Sequence, residues 1–147
     1  MNSLRAGIRG KPRAGIMKIG EMKMDIMGKI KEILSEILDI ENREMTAETY
    51  VVRDLDAESI DLLELAVALN AAFDVDINDD EIYLRRFRLH LMEAKQEGRD
   101  AAAYLSGKFA FLSRSRVEEI IGDLPGGPTL KIGDLVSYIS WRSDRTS

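Results

Sequence analysis

No cysteine occurs in this chain, and only one histidine, His90. The first absence excludes a disulfide framework, thiolate catalysis and any cysteine-ligated metal site. The second excludes a histidine-rich metal site. No apolar run approaches the length of a transmembrane helix, and the N-terminus carries no apolar signal core, so the expected location is cytoplasmic. What remains is a chain of 147 residues with a hydrophobic fraction of 45%. That is enough for one core, in one domain or one domain with an elaboration.

Charge is unevenly distributed. Residues 1–24 hold six bases and one acid, residues 25–81 hold seventeen acids against four bases, and residues 82–147 hold eleven bases and eight acids. The segments therefore carry +5, −13 and +3, which together give the net charge of −5. A surface of one sign speeds encounter with partners of the opposite sign and opposes docking on nucleic acid or anionic membrane. Residues 1–24 contain Gly7, Gly10, Pro12, Gly15 and Gly20, with no sustained helical period. They are expected to form a basic, disordered N-terminal segment, with Met17, Met22 and Met24 all possible initiators.

Met24 to Ile40 reads as an amphipathic helix, with Ile26, Ile30, Ile33, Leu34, Ile37 and Leu38 at three- and four-residue steps. A long loop through Glu41 to Asp54 leads to an acidic turn, Asp54-Leu55-Asp56-Ala57-Glu58-Ser59-Ile60-Asp61. A serine in a first helical turn can simply cap it. Here Asp54, Asp56 and Asp61 crowd the same position, so the Ser59 hydroxyl is free to serve as a modification site presented to a partner enzyme. In the helix that follows, Leu62, Leu65, Leu69 and Phe73 form the expected core stripe. Ile60, Leu63, Val67 and Ala71 form a second apolar stripe. It is either the far edge of a wide buried face or a surface for a partner.

These pieces resemble the acyl carrier proteins. In that family a serine in an Asp-Ser-Leu type triplet carries a prosthetic arm, and the triplet here reads Glu58-Ser59-Ile60. The helix over 24–40, the extended linker ending in Asp54-Leu55, the Glu64-Leu65-x-x-Ala68-Leu69-x-x-x-Phe73 helix and the closing Leu130 to Ile139 segment recur in the family's order. The resemblance covers residues 25–81 and 129–141. It implies an all-α, acyl-carrier-like four-helix bundle, with a helical insertion over about 82–127 inside a domain of residues 25–147. It also implies covalent 4′-phosphopantetheine on Ser59, transferred from coenzyme A with Mg²⁺ by a phosphopantetheinyl transferase. Acyl groups would then travel as thioesters between enzymes of fatty-acid, lipid or polyketide synthesis. Glu58, Ile60, Asp61, Leu63, Glu64 and Val67 would meet the basic docking patches of acyl-loading, condensing or acyltransferase partners. The chain would be a monomeric carrier with no catalytic residue and no metal site, binding no nucleic acid and inserting in no membrane. One departure stands out: further glutamates common in the last turns of the second helix are replaced by Asn70, Ala71 and Ala72.

The insertion is read from its own residues. Leu84, Phe87, Leu91 and Ala94 predict a helix over Ile82 to Glu97, closed by Gly98 as a C-cap. A second helix is expected over Ala101 to Phe111. A third starts after Ser113 or Ser115, the latter fitting a capping box with Glu118, and runs through Val117, Ile120 and Ile121. Asp123 to Pro128 breaks it. Arg85, Arg86 and Arg88 read as an exposed cationic face paired with the acidic carrier surface. His90 has no nearby nucleophile or carboxylate pair at useful helical spacing and is expected at the surface or half-buried. The other classes left open are a peptidyl or aminoacyl carrier, an unmodified helical interaction module, and a nucleic-acid or anionic-surface binder acting through residues 1–24 and Arg85 to Arg88.

Overall fold

The computed structural model describes residues 19–146 except residue 42, and side chains over 20–144 with the same exception. The first helix, α1, runs Ile19–Leu38 and buries Ile26, Ile30, Ile33 and Leu34, with Ile37 and Leu38 packed half-buried against the same core. It begins earlier than the period suggested, so residues 19–24 of the basic segment are helical. Residues 1–18 lie outside the described residues. Four helices complete the carrier bundle: α1, α2 (Ser59–Phe73), the short α3 (Asp79–Ile82) and α7 (Ile132–Thr146). No β-strand occurs among the described residues; a lone bridge pairs Tyr50 with Lys131.

Helix α7 is the hub. Ile132, Leu135, Tyr138 and Ile139 are fully buried. The Tyr138 hydroxyl accepts from the Asn78 backbone N–H at 3.1 Å and donates to Glu81 at 3.2 Å. These bonds hold α3, capped at its own start by the Asn78 side chain, against the bundle.

Between α3 and α7 lie α4 (Phe87–Gln96), α5 (Ala101–Lys108), α6 (Arg114–Asp123) and a 3₁₀ turn over Leu124–Gly126. The single helix expected over 82–97 is broken. Residues 83–86 form a turn in which Leu84 takes a left-handed φ of 58°. That conformation costs a non-glycine residue about 1–2 kcal/mol, and burial of the Leu84 side chain offsets it. The predicted C-cap holds: Gly98 has φ 67°, its N–H reaches the Lys95 carbonyl and the Arg99 N–H reaches Ala94 at 2.9 Å. That is the Schellman pairing. Helix α5 stops at Lys108, short of Phe111. The cap of α6 is Ser113, which accepts from the Arg116 N–H at 3.0 Å, so Ser115 does not form the capping box.

The insertion packs onto the bundle and shares its core. Leu84, Phe87, Leu91, Val117 and Ile120 are buried in one cluster with Leu65, Leu69 and Tyr138. A file of rings makes the junction: Phe87 stacks on Phe109 at 5.4 Å, Phe109 meets Phe111 edge-on at 6.3 Å, and Phe111 meets Tyr138 edge-on at 5.0 Å. His90 is half-buried, as expected, and meets a single carboxylate. Its Nδ1 lies 2.8 Å from Glu93, which also accepts from the Tyr104 hydroxyl at 2.9 Å, tying α4 to α5.

Candidate functional site

The loop that presents Ser59 is built from short-range bonds and a few apolar anchors. Val51, Leu55 and Ala57 are buried and alternate with polar residues that turn outward. The Asp54 N–H and the Leu55 N–H both donate to the Tyr50 carbonyl, and the Asp56 N–H to Val52. Asp54 closes the turn by accepting from the Tyr50 N–H at 2.9 Å. Asp56 takes φ 60°, a conformation that aspartate tolerates better than most residues, and redirects the chain into α2.

Glu58 is the N-cap of α2, with extended backbone angles, and its N–H donates to the Asp61 carboxylate at 2.8 Å. The helix start is thus fixed by Glu58 and Asp61. Asp56, expected among the caps, serves the preceding turn instead. Ser59 is the first helical residue, is exposed, and no hydrogen bond engages its hydroxyl among the described residues. A nucleophile at a helix N-terminus also sees the positive end of the helix dipole, which favours a phosphate placed there. The hydroxyl therefore fits a phosphodiester: it faces solvent, its oxygen is uncommitted, and nothing in the fold depends on it.

The apolar residues of α2 separate cleanly. Leu65, Ala66 and Leu69 are buried, whereas Ile60, Leu63 and Val67 are 59%, 52% and 71% exposed. The second stripe is therefore a surface and not the edge of the core. Glu58 and Glu64 flank it, exposed, while Asp61 is half-buried in its capping role. Phe73, placed in the core by its spacing, is only half-buried. The helix ends immediately after it, at Asp74 with φ 53°, so the last turn has less of the bundle above it.

Several residues that hold the site carry no sequence signal. Tyr83 lies in the turn before α4 and donates to the Leu62 carbonyl at 2.7 Å; burial, then the Asp79 carboxylate, pushes its phenol far above the ordinary range, which keeps it a donor. Arg53, in the loop before Ser59, donates to the Asp123 carboxylate, the Asp123 carbonyl and the Gly127 carbonyl, each at 3.0 Å. Its guanidinium covers the Tyr50 ring at 4.3 Å, and the Tyr50 hydroxyl donates to Asp123 at 2.6 Å. A Cβ at Gly126 would sit 3.0 Å from Arg53 Nη2, so glycine makes room for the clasp. Arg85 and Arg86 are exposed and approach the Asp80 carboxylate at 3.8 and 3.9 Å. They lie in the turn and not on a helix. Arg88, on α4, donates to the Leu124 carbonyl at 2.9 Å.

The fold is thus a helical bundle with an exposed, uncommitted serine at an acidic helix start. The comparisons give that arrangement a name. Residues 28–85 match the family of the phosphopantetheine attachment site. Over 59 residues the chain is 41% identical to an acyl carrier protein of Picosynechococcus sp., covering 40% of this chain and 73% of that protein. The chain belongs to the acyl carrier protein family, and the matched domain is the site of covalent 4′-phosphopantetheine attachment. No solved structure matches. The family match stops at Arg85, in the turn where the insertion begins. Among the described residues, no group of acidic, histidine or cysteine side chains could hold a metal ion, and no helix is long and apolar enough to cross a membrane.

Proposed function

We propose that Ser59 is the residue that bears 4′-phosphopantetheine, and that the chain carries acyl groups between cytoplasmic enzymes of fatty-acid, lipid or polyketide synthesis without catalysing a step itself. The observation that carries this reading is the exposed, uncommitted Ser59 hydroxyl at a helix start capped by other residues. The arm supplies the thiol that a chain with no cysteine lacks. The chain's own residues hold the attachment point still: Glu58 and Asp61 fix the first turn of α2, Leu55 and Ala57 anchor the loop, and the helix N-terminus favours the phosphate.

Partner enzymes would read the exposed Ile60, Leu63 and Val67 stripe as apolar contact and Glu58 and Glu64 as charge. This is the arrangement in which electrostatics speeds encounter and apolar burial holds the complex. Substitution tests the assignment. Ser59→Ala retains helicity and melting temperature, and intact mass after co-expression with a permissive phosphopantetheinyl transferase shows no added prosthetic group. Attachment to the alanine variant sinks the assignment. An unmodified wild-type chain points to the helical interaction module instead.

A further inference from the structure

A cleft of about 300 Å³ lies between the carrier and its insertion, at the small end of the usual size range for small-molecule sites. Its walls come from three parts of the chain: Val52 and Leu62 of the carrier, Leu84 and Phe87 of the turn and α4, and Leu124 and Leu130 at the insertion's exit. Leu62 lies three residues beyond Ser59, about one helical turn or 4.5 Å along the axis and on a neighbouring part of the same face. The cleft therefore opens within reach of anything attached to Ser59. Its apolar lining is interrupted by two arginines, Arg85 and Arg88.

Resting on the assignment of Ser59 as the attachment residue, we propose that this cleft receives the carried acyl chain and that Arg85 and Arg88 select cargo ending in a carboxylate. Both arginines are exposed, and each is steadied by a contact that leaves other N–H donors unspent. Arg88 gives one bond to the Leu124 carbonyl, while Arg85 lies over the Tyr83 ring at 5.5 Å and meets Asp80 only at 3.8 Å. A plain alkyl chain lying against these guanidiniums would strip water from them and return no hydrogen bond, a net cost. A terminal carboxylate returns charge-assisted, potentially bidentate bonds. The left-handed Leu84 gives the site its shape. Its turn sends Leu84 inward and leaves Arg85 outside, and backbone strain of this kind persists where the surrounding structure enforces it.

The test loads the full chain, through a permissive transferase, with decanoyl cargo or with its ω-carboxylated counterpart of equal carbon count. Intact mass follows thioester hydrolysis, and amide exchange follows residues 84–88 and 124–130. The carboxylated cargo is expected to hydrolyse about five-fold more slowly than decanoyl and to slow exchange at both segments. Arg85→Gln and Arg88→Gln, each loaded equally well, abolish that difference. Equal rates for the two cargoes in the wild type overturn the inference while leaving the Ser59 assignment standing. Full exchange protection on attachment of the bare arm, with no further change from either cargo, also overturns it, because the arginines would then be holding the phosphodiester. Failure of the chain to gain any prosthetic mass removes the Ser59 assignment and the cleft inference together.

Discussion

Within the carrier bundle, helices meet through aliphatic side chains, and Ile30, Leu34, Leu65, Leu69 and Leu135 are almost wholly removed from solvent. The insertion is attached differently. Rings join the aliphatic side chains in its apolar contact, and an arginine crosses the junction from each side, Arg53 from the carrier and Arg116 from the insertion. Arg116 of α6 grips Asp134 of α7 with two bonds of 2.8 Å and the Thr129 carbonyl with one of 2.7 Å. Asp134 also accepts from the Lys131 N–H at 2.9 Å. Aliphatic packing tolerates small changes of angle, whereas a forked guanidinium fixes one orientation. The bundle is thus a general scaffold, and the insertion is registered on it at particular points.

The largest expected effect breaks that registration. Asp134 is only 3% exposed, so Arg116→Ala strands a buried carboxylate and should cost roughly 3–5 kcal/mol. Denaturant unfolding should show one earlier transition for the whole domain, since both parts share a core. Pairing Arg116→Met with Asp134→Leu should restore much of the loss. A cost below about 1 kcal/mol for Arg116→Ala would mean that the ring file alone holds the insertion, and the contrast between the two regions would weaken.

Within the carrier the comparison is sharpened by two residues of one stripe. Leu69→Ala, at a fully buried position, should cost about 2–5 kcal/mol. Phe73→Ala, at a half-buried one, should cost less than the roughly 3–5 kcal/mol of a buried phenylalanine. Thermal melts of the two variants give the order directly, and a larger loss at Phe73 would contradict its placement.

How far all this could be read from the residues differs between the same two regions. The carrier was legible because its constraints are local: the three- and four-residue steps of α1, the acidic turn, and a serine surrounded by better caps. The exposure of Ile60, Leu63 and Val67 was not decidable, since an apolar stripe carries no mark of whether another helix covers it. In the insertion, Gly98 and Ser113 announced their helix ends through backbone chemistry. The break at Leu84 did not, because tertiary burial there overrides a good helical pattern. The arginine contacts were invisible for a simpler reason: Arg53 and Asp123 are 70 residues apart, and no spacing rule connects them. Asp61 is read both as a cap and as a docking charge, and the cap is the part the structure displays: it accepts from the Glu58 N–H at 2.8 Å.

That capping bond decides how docking should be tested. Reversal at Asp61 would disturb the helix start as well as the surface, so Glu64→Lys is the cleaner probe. It should slow transferase modification several-fold at low salt, and less at 0.15 M, where the screening length falls to about 8 Å. Circular dichroism should stay unchanged. Equal modification rates at low ionic strength would remove charge from the docking surface and leave only the apolar stripe.

The smallest expected effect concerns the half-buried clasp between the Ser59 loop and the end of the insertion. The Tyr50 hydroxyl, then the Arg53 guanidinium, with Lys131 contributing weakly, hold the Asp123 carboxyl below its ordinary value. A depressed folded value stabilises the native state at pH values above the unfolded one, about 3.9, and this contribution is lost as pH falls through the folded value. The clasp should therefore be intact at neutral pH and at pH 5, and should open only below about pH 4. Tyr50→Phe removes the largest of these influences, so Asp123 should titrate at higher pH in that variant, and the Gly127 amide should report the opening earlier in an acid titration followed by NMR. Coincident Asp123 titrations in the wild type and Tyr50→Phe would show that Arg53 alone sets the carboxylate. The insertion's exit would then be tied to the Ser59 loop by one residue and not two.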